Sequence, residues 1–330
     1  MSSDAPNPFQ PPADAAPRAA ATPLWRRVLP FVVAIGLVAF TLRHIDMHAF
    51  VEQLAAVNAP AYMLFATAFV LALLTADAFA TAKLYSLTVA PVGFRELWTL
   101  RGASYLPSIV SHHLGQAFLT YYVSRRHGVS LARMAGGTLL SYASWAGLLL
   151  AVFAIAMFVS GSPIWEPLAV LGGGVLYLAV IAWRPAPLAR LKLLAPLFEA
   201  GLGGHIVGLL VRVPHFVVLF LGTWLPFFFF GVKIPLAIAL VYVPIVMVVV
   251  TLPITPQGVG TRDMVAVWAF SSFASGDTHA AQAAAISAST TSFAVAFTLV
   301  EVVLGLALLR WATPEAAPSS LSLAPKVHDA

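Results

Sequence analysis

Long apolar runs separated by short polar stretches recur along this chain. A run of about 18 or more apolar residues can cross about 30 Å of hydrocarbon as a helix. Such runs fall at 24–42, 60–82, 135–160, 167–183, 214–231, 234–252, 257–275 and 281–309. They are continuous rather than alternating, which excludes a transmembrane barrel. Residues 102–123 pose a choice. The segment is long enough to cross, yet it holds Pro107, His112, His113, Gly115 and Gln116. Both its flanks are basic, with Lys83, Arg95 and Arg101 before it and Arg125 and Arg126 after. Crossing would leave one basic flank outside, whereas a hairpin that dips in and returns keeps both on one side. The expected fold is therefore all-α, a polytopic membrane helix bundle of about eight transmembrane helices plus a re-entrant hairpin.

Composition agrees. Hydrophobic residues make up 60% of the chain and charged residues only 9%, against about 25% charged in a soluble domain, and the mean hydropathy is +0.89. Residues 1–23, rich in Pro and Ala, read as a disordered cytoplasmic tail, as do 311–330. Residues 24–310 read as a single transmembrane domain. Arg26 and Arg27 before an apolar run resemble a signal peptide, but Phe40-Thr41-Leu42-Arg43 lacks the small-residue cleavage pattern. Residues 186–212, interrupted by Gly201, Gly203 and Gly204, read as an interfacial amphipathic or partly buried segment. Basic residues gathered in alternate loops put both termini in the cytoplasm of an inner or plasma membrane. The net charge of +5 sits at helix ends and does not point to nucleic acid. Cysteine is absent, so disulfides and thiolate sites are excluded.

Candidate chemistry concentrates in two places. The stretch Pro253-Ile254-Thr255-Pro256-Gln257-Gly258-Val259-Gly260-Thr261-Arg262-Asp263 sets prolines, glycines and an Arg-Asp pair between apolar runs. Broken backbone and charge at membrane depth are tolerated where they are packed in protein or line a wet cavity. Arg262 is the expected phosphate ligand, with Gly258 and Gly260 letting a head group approach the backbone. Asp263, Asp77 and Glu301 are the supporting charges, expected at matched depth in the cytoplasmic half, where Arg262 meets Glu301 or Asp77. The competing reading is an architectural ion pair. His112, His113 and Gln116 form the second cluster, read as polar lining of a lipid or proton path or as plain interfacial side chains. Arg125 with Arg126 and Arg133 anchors the hairpin and attracts anionic head groups. Gly204-x-x-x-Gly208 is a helix-packing face. No metal site is expected, since no set of ligands has the spacing zinc needs, and no cofactor is expected.

The first motif resembles the Pro-x-Thr-Pro-Gly-Gly-x-Gly-x-Arg-Glu signature of the lysylphosphatidylglycerol synthase transmembrane, or flippase-like, family. Leu106-Pro107, Leu114-Gly115-Gln116 and Tyr121–Val129 resemble that family's first segment, where a proline and a Gly-Glu pair precede a basic turn. Gln116 stands where the family usually has glutamate, Leu119 where arginine is common, and Gln257 where the first glycine is usual. The resemblance spans most of residues 24–310. It implies an inner-membrane protein that moves, or helps to move, a lipid, with both broken segments lining the route. It does not imply lysine transfer, because no soluble synthase domain accompanies these residues.

The leading expectation is thus a lipid translocase or transport accessory protein for an anionic phospholipid or lipid-linked precursor. Its partners would be membrane lipids, a separately encoded lipid-synthesis enzyme and further copies of itself, with no nucleic acid. The alternatives are an intramembrane lipid-modifying transferase, with Asp77 or His112 as base, and a membrane scaffold for a lipid synthase. With no nucleotide or metal motif, the transferase is the weaker alternative.

Overall fold

The structure, a computed structural model, describes residues 47–251 and 260–312. All its regular elements are helices: α1 (Met47–Ala56), α2 (Ala59–Thr88), α3 (Phe94–Ala103), α4 (Tyr105–Val110), α5 (His112–His127), α6 (Leu131–Val159), α7 (Trp165–Trp183), α8 (Ala186–Ala189), α9 (Ala195–Trp224), α10 (Pro226–Phe229), α11 (Leu236–Thr251), α12 (Thr261–Phe270) and α13 (His279–Ala312). Five stretches are long and apolar enough to cross a membrane: α2, α6, α7, α9 with α10, and α13. The chain is a multi-pass membrane protein. The expected crossing at 24–42 and the expected tails at 1–23 and 313–330 lie outside the described residues.

Following the helices end to end gathers Arg95, Arg125, Arg126, Arg133, Arg184, Arg190, Lys192 and Arg310 at one end of the bundle. At the opposite end Lys233 is the one Lys or Arg among the described residues. The hairpin expected over 102–123 is present. Helices α3 and α4 enter from the basic end, Ser111 turns extended at φ −162° and ψ 132°, and α5 returns packed against α4. The two mouths of the hairpin are tied together, His127 Nε2 lying 3.1 Å from Glu96 Oε2. Arg126 also donates to the Ala312 carbonyl at 2.7 Å, fixing α5 to the end of α13.

Two expectations need correction. Residues 186–212 do not form one segment at the interface: α9 begins at Ala195, is partly buried, and carries Arg212 into the bundle. Gly201 breaks the helix there at φ 57°, and the 23 residues that follow span about 34 Å. Gly208 is a packing position, as the Gly204-x-x-x-Gly208 spacing predicts: a side chain there would run into Ser144 of α6. The expected crossings at 234–252 and 257–275 correspond to α11 and α12. At 10 residues, α12 is about 15 Å long and too short to cross. Lys233 N donates to Phe273 O at 3.1 Å, so α11 and α12 start and finish at the same end, opposite the basic one.

The result is two units of like order and opposite direction. Helix α2, the hairpin α3–α5 and helix α6 make the first; α9, the pair α11–α12 and α13 make the second. Each second arm packs on its own closing helix (α5 on α6, α12 on α13), and each first arm on the other unit's (α3 on α13, α11 on α6). Close approach is needed where these helices cross. A Cβ at Gly305 would lie 2.7 Å from Leu106 and 3.5 Å from the Gly102 carbonyl. At Gly222 of α9 it would run into the Phe69 ring, whereas at Gly172 on α7 it would meet nothing within 4 Å. Gly222→Ala should therefore cost about 1–3 kcal/mol through overpacking. Gly172→Ala should be neutral or slightly stabilising. Thermal unfolding of the detergent-solubilised variants measures both.

Candidate functional site

Polar side chains inside the bundle converge on Asp77, which sits 11 residues before the end of α2, about 16 Å from the basic end. Its carboxylate holds two arginines. Arg101 of α3 approaches with Nε 2.6 Å from Oδ2, and Arg212 of α9 pairs with Oδ1 through Nη1. Arg212 Nη2 donates to Thr81, one turn below Asp77, at 3.1 Å, and also to Ser141 of α6. His215, one turn along α9, places Nδ1 3.7 Å from Asp77 Oδ1 and its ring edge-on to Trp145 at 5.1 Å. Asp77 and Arg212 are 6% and 5% exposed, so this is a desolvated cluster with two positive charges to one negative. Charges so placed are held by being paired and hydrogen-bonded at once.

The tip of the hairpin joins this cluster through Gln116. Its Oε1 accepts from Arg101 Nη1 at 3.4 Å, and its Nε2 donates to Tyr85 Oη and Thr138 Oγ1, both at 3.5 Å. Tyr85 and Thr138 lie 2.9 Å apart, and Thr120 meets Thr138 at 3.1 Å. At the start of α5, His112 and His113 set their rings edge to face at 6.0 Å and stay accessible. Tyr142 is also accessible, at 37%. Both His112 and Tyr142 are nevertheless electrostatic neighbours of Arg101 and Asp77. They are the accessible polar side chains nearest in charge to the buried arginines.

Glu301 of α13 lies on the other side of Arg101, which is its charged neighbour. It is 4% exposed, and its Oε2 has no hydrogen-bond partner. Among the described residues no cation lies within ion-pair distance of it.

Arg262 and Asp263 stand elsewhere. They open α12 after Gly260, which takes φ 81° and donates its N–H to Asp263 Oδ2 at 3.3 Å. Arg262 Nη2 donates to the Thr290 carbonyl at 2.7 Å, its guanidinium lies 5.7 Å from the Phe293 ring, and Nε stays 3.9 Å from Asp263 Oδ1. Thr290 precedes Glu301 by 11 residues of α13, about 16 Å along the axis. Between them lie the rings of Phe69, Phe293 and Phe297, with centroids 5.7–5.9 Å apart. The expected pairing of Arg262 with Asp77 or Glu301 is therefore not made. Helix α12 turns back toward its own end before Arg262 can reach that depth.

The structure thus brings together Asp77, Gln116, His112 and Glu301 and sets Arg262 and Asp263 apart. Gly258 lies outside the described residues. Arg125, nine residues beyond Gln116 on α5 and so about 13 Å away, lines an open cleft at the basic end with Ser124, Gly128, Val129 and Ser130. A second, apolar groove of about 550 Å³ runs along the outer face of α2 past Leu71, Thr75, Phe79 and Pro214, on the side away from Asp77. Among the described residues no three of His, Asp and Glu gather as a metal ion would need. The sequence reading missed Arg101, Arg212 and His215. Arg101 passed for a flank and Arg212 for an interfacial residue. The available signal was the lone arginine and histidine in the apolar run from Ile206 to Phe230, since a cation there needs a carboxylate such as Asp77.

These features define a polytopic helical membrane protein with paired broken segments and a charged interior. The chain belongs to the family described as the lysylphosphatidylglycerol synthase TM region, which matches residues 27–305. No curated protein and no solved structure was found to match it. Membership in this family associates the chain with lipid handling.

Removing Asp77 would leave two buried arginines facing each other. Asp77→Ala should destabilise the protein by about 3–5 kcal/mol, which denaturant unfolding in mild detergent micelles will measure. A loss under 1 kcal/mol would mean the cluster is hydrated enough to do without its anion.

Proposed function

We propose that the chain passes an anionic lipid between leaflets, its head group travelling through the polar interior while the acyl chains stay in the bilayer. We place the basic end in the cytoplasm of an inner or plasma membrane, following the distribution of Lys and Arg. The observation that carries the reading is the surplus of arginine over carboxylate at Asp77, beside the accessible His112 and Tyr142. A guanidinium not fully neutralised by its own aspartate is a strong ligand for a phosphodiester, which accepts two parallel N–H bonds from it. Supplying that partner inside the bundle removes most of the cost of taking the phosphate out of water. Arg262 is the second cation on the way, beyond the aromatic layer. Two units of opposite direction around a central site are the architecture in which one face opens as the other closes.

The test is transbilayer movement of tail-labelled phosphatidylglycerol in proteoliposomes, followed by quenching from outside. Wild type should exceed protein-free vesicles. Arg101→Ala should lower the rate at least tenfold with the fold intact by circular dichroism, and Arg101→Lys should keep part of it. Equal rates with and without protein would reject translocation. In that event a lipid synthase co-purifying with the protein would support the scaffold reading instead.

A further inference from the structure

Glu301 has no place in the cage around Asp77, yet it is buried, its Oε2 is unpartnered, and Arg101 is its charged neighbour. The elements packed on this stretch of α13 bring few charged or titratable groups to it. Arg101 comes from α3, Tyr105 from α4, and Asp77 from α2 behind Arg101, with Arg212 and His215 of α9 on the far side of Asp77. Helix α12 contributes Arg262 and Asp263 only about 16 Å further along. Helix α1 contributes His48 and Glu52, which pair with each other at 3.3 Å near the opposite end.

Charge counting follows from these neighbours. With the histidine counted as uncharged, Arg101, Arg212 and Asp77 sum to one positive charge. In a desolvated site that charge calls for one anion and resists two. The Glu301 carboxylate and a phosphodiester are both candidates for the role, and Arg101 is the group that either would face.

Building on the lipid-translocation reading, we propose that Glu301 is a proton-binding site coupled to the head group. Where pH leaves it ionised in the empty site, the Glu301 carboxylate offsets the surplus charge of the arginines without pairing with either. When an anionic head group binds, Glu301 takes one proton from water, becomes the neutral acid and cedes Arg101 to the phosphate. When the head group leaves, the proton returns to water. One proton accompanies each singly charged lipid in the same direction, so a proton gradient can drive the lipid. By linkage, the bound state holds one more proton than the free state, so affinity rises as pH falls.

The experiment measures proton uptake by the full chain in weakly buffered detergent micelles, with a pH-indicator dye, on adding short-chain phosphatidylglycerol. Wild type should take up about one proton per lipid bound. Its affinity should fall up to tenfold per pH unit across the range where uptake occurs. Glu301→Gln should bind phosphatidylglycerol without taking up a proton and with an affinity that pH no longer changes. Uptake that survives in Glu301→Gln overturns the proposal, as does uptake lost in His215→Gln but kept in Glu301→Gln. Binding by wild type with no proton uptake also overturns it, while leaving the anionic-lipid reading standing. Absence of binding to wild type removes that reading and the coupling together.

Discussion

A single aspartate holding two arginines inside hydrocarbon is the constraint around which the other helices are arranged. Asp77, Arg101 and Arg212 belong to three different helices, and none of the three charges is tolerable there alone. Their pairing sets the depth and rotation of α2, α3 and α9 relative to one another. Several of the remaining donors are taken up by small hydroxyls at Thr81 and Ser141, and Gln116 from the returning arm of the hairpin links Arg101 to Thr138. Apolar contact alone discriminates weakly between helix registers in lipid, because the tails are as apolar as the side chains. The polar cluster supplies the specificity that hydrophobic burial supplies in water.

The same geometry divides the interior. The cluster occupies the half of the bundle nearer the basic end, and Arg262 with Asp263 occupies the other. Phe69, Phe293 and Phe297 form a layer between them. Gly222 lets α9 press against Phe69 from the far side, so that ring has little room to move without α9 moving. On the proposed route a phosphate would have two stations and one barrier. The hairpin α3–α5 and the pair α11–α12 start from opposite ends, so each station lies beside the inner helix ends of a different unit.

Much of this was legible in the chain. Continuous apolar runs marked α2, α6, α7 and α13 within a few residues, and two basic flanks around a Pro- and His-bearing segment were enough to turn 102–123 back on itself. Legibility failed where local sequence and tertiary context conflict. Glycines at 201, 203 and 204 argue against a membrane helix, yet Gly208 is where α9 seats on Ser144 and only Gly201 breaks the helix. Arg101 reads as a topological anchor because periodicity cannot distinguish a cation at a helix end from one aimed inward at a carboxylate on another helix. The Arg262–Asp263 end of the 253–263 motif stands out in the sequence, but its depth does not. Depth depends on where α12 turns, and ten residues of α12 look like the start of a longer crossing until Lys233 and Phe273 are seen side by side.

Gln116 shows how a departure from the family pattern changes the electrostatics without disturbing the fold. The family segment that these residues resemble implies a glutamate at this position and an arginine at 119, a pair whose charges cancel. Here both are neutral, and Leu119 is only 1% exposed, packed in an apolar cluster with Val123 and Met134. An arginine at 119 without its glutamate would be an unpaired cation in that cluster, so the two losses belong together. The exchange is neutral for the chain as a whole but not at the site. Gln116 touches Arg101 with an amide oxygen rather than a carboxylate, so the two arginines retain one positive charge that Asp77 does not neutralise. The surplus on which the proposed head-group binding rests follows from this amide, and it leaves Glu301 as the other buried carboxylate near Arg101 among the described residues.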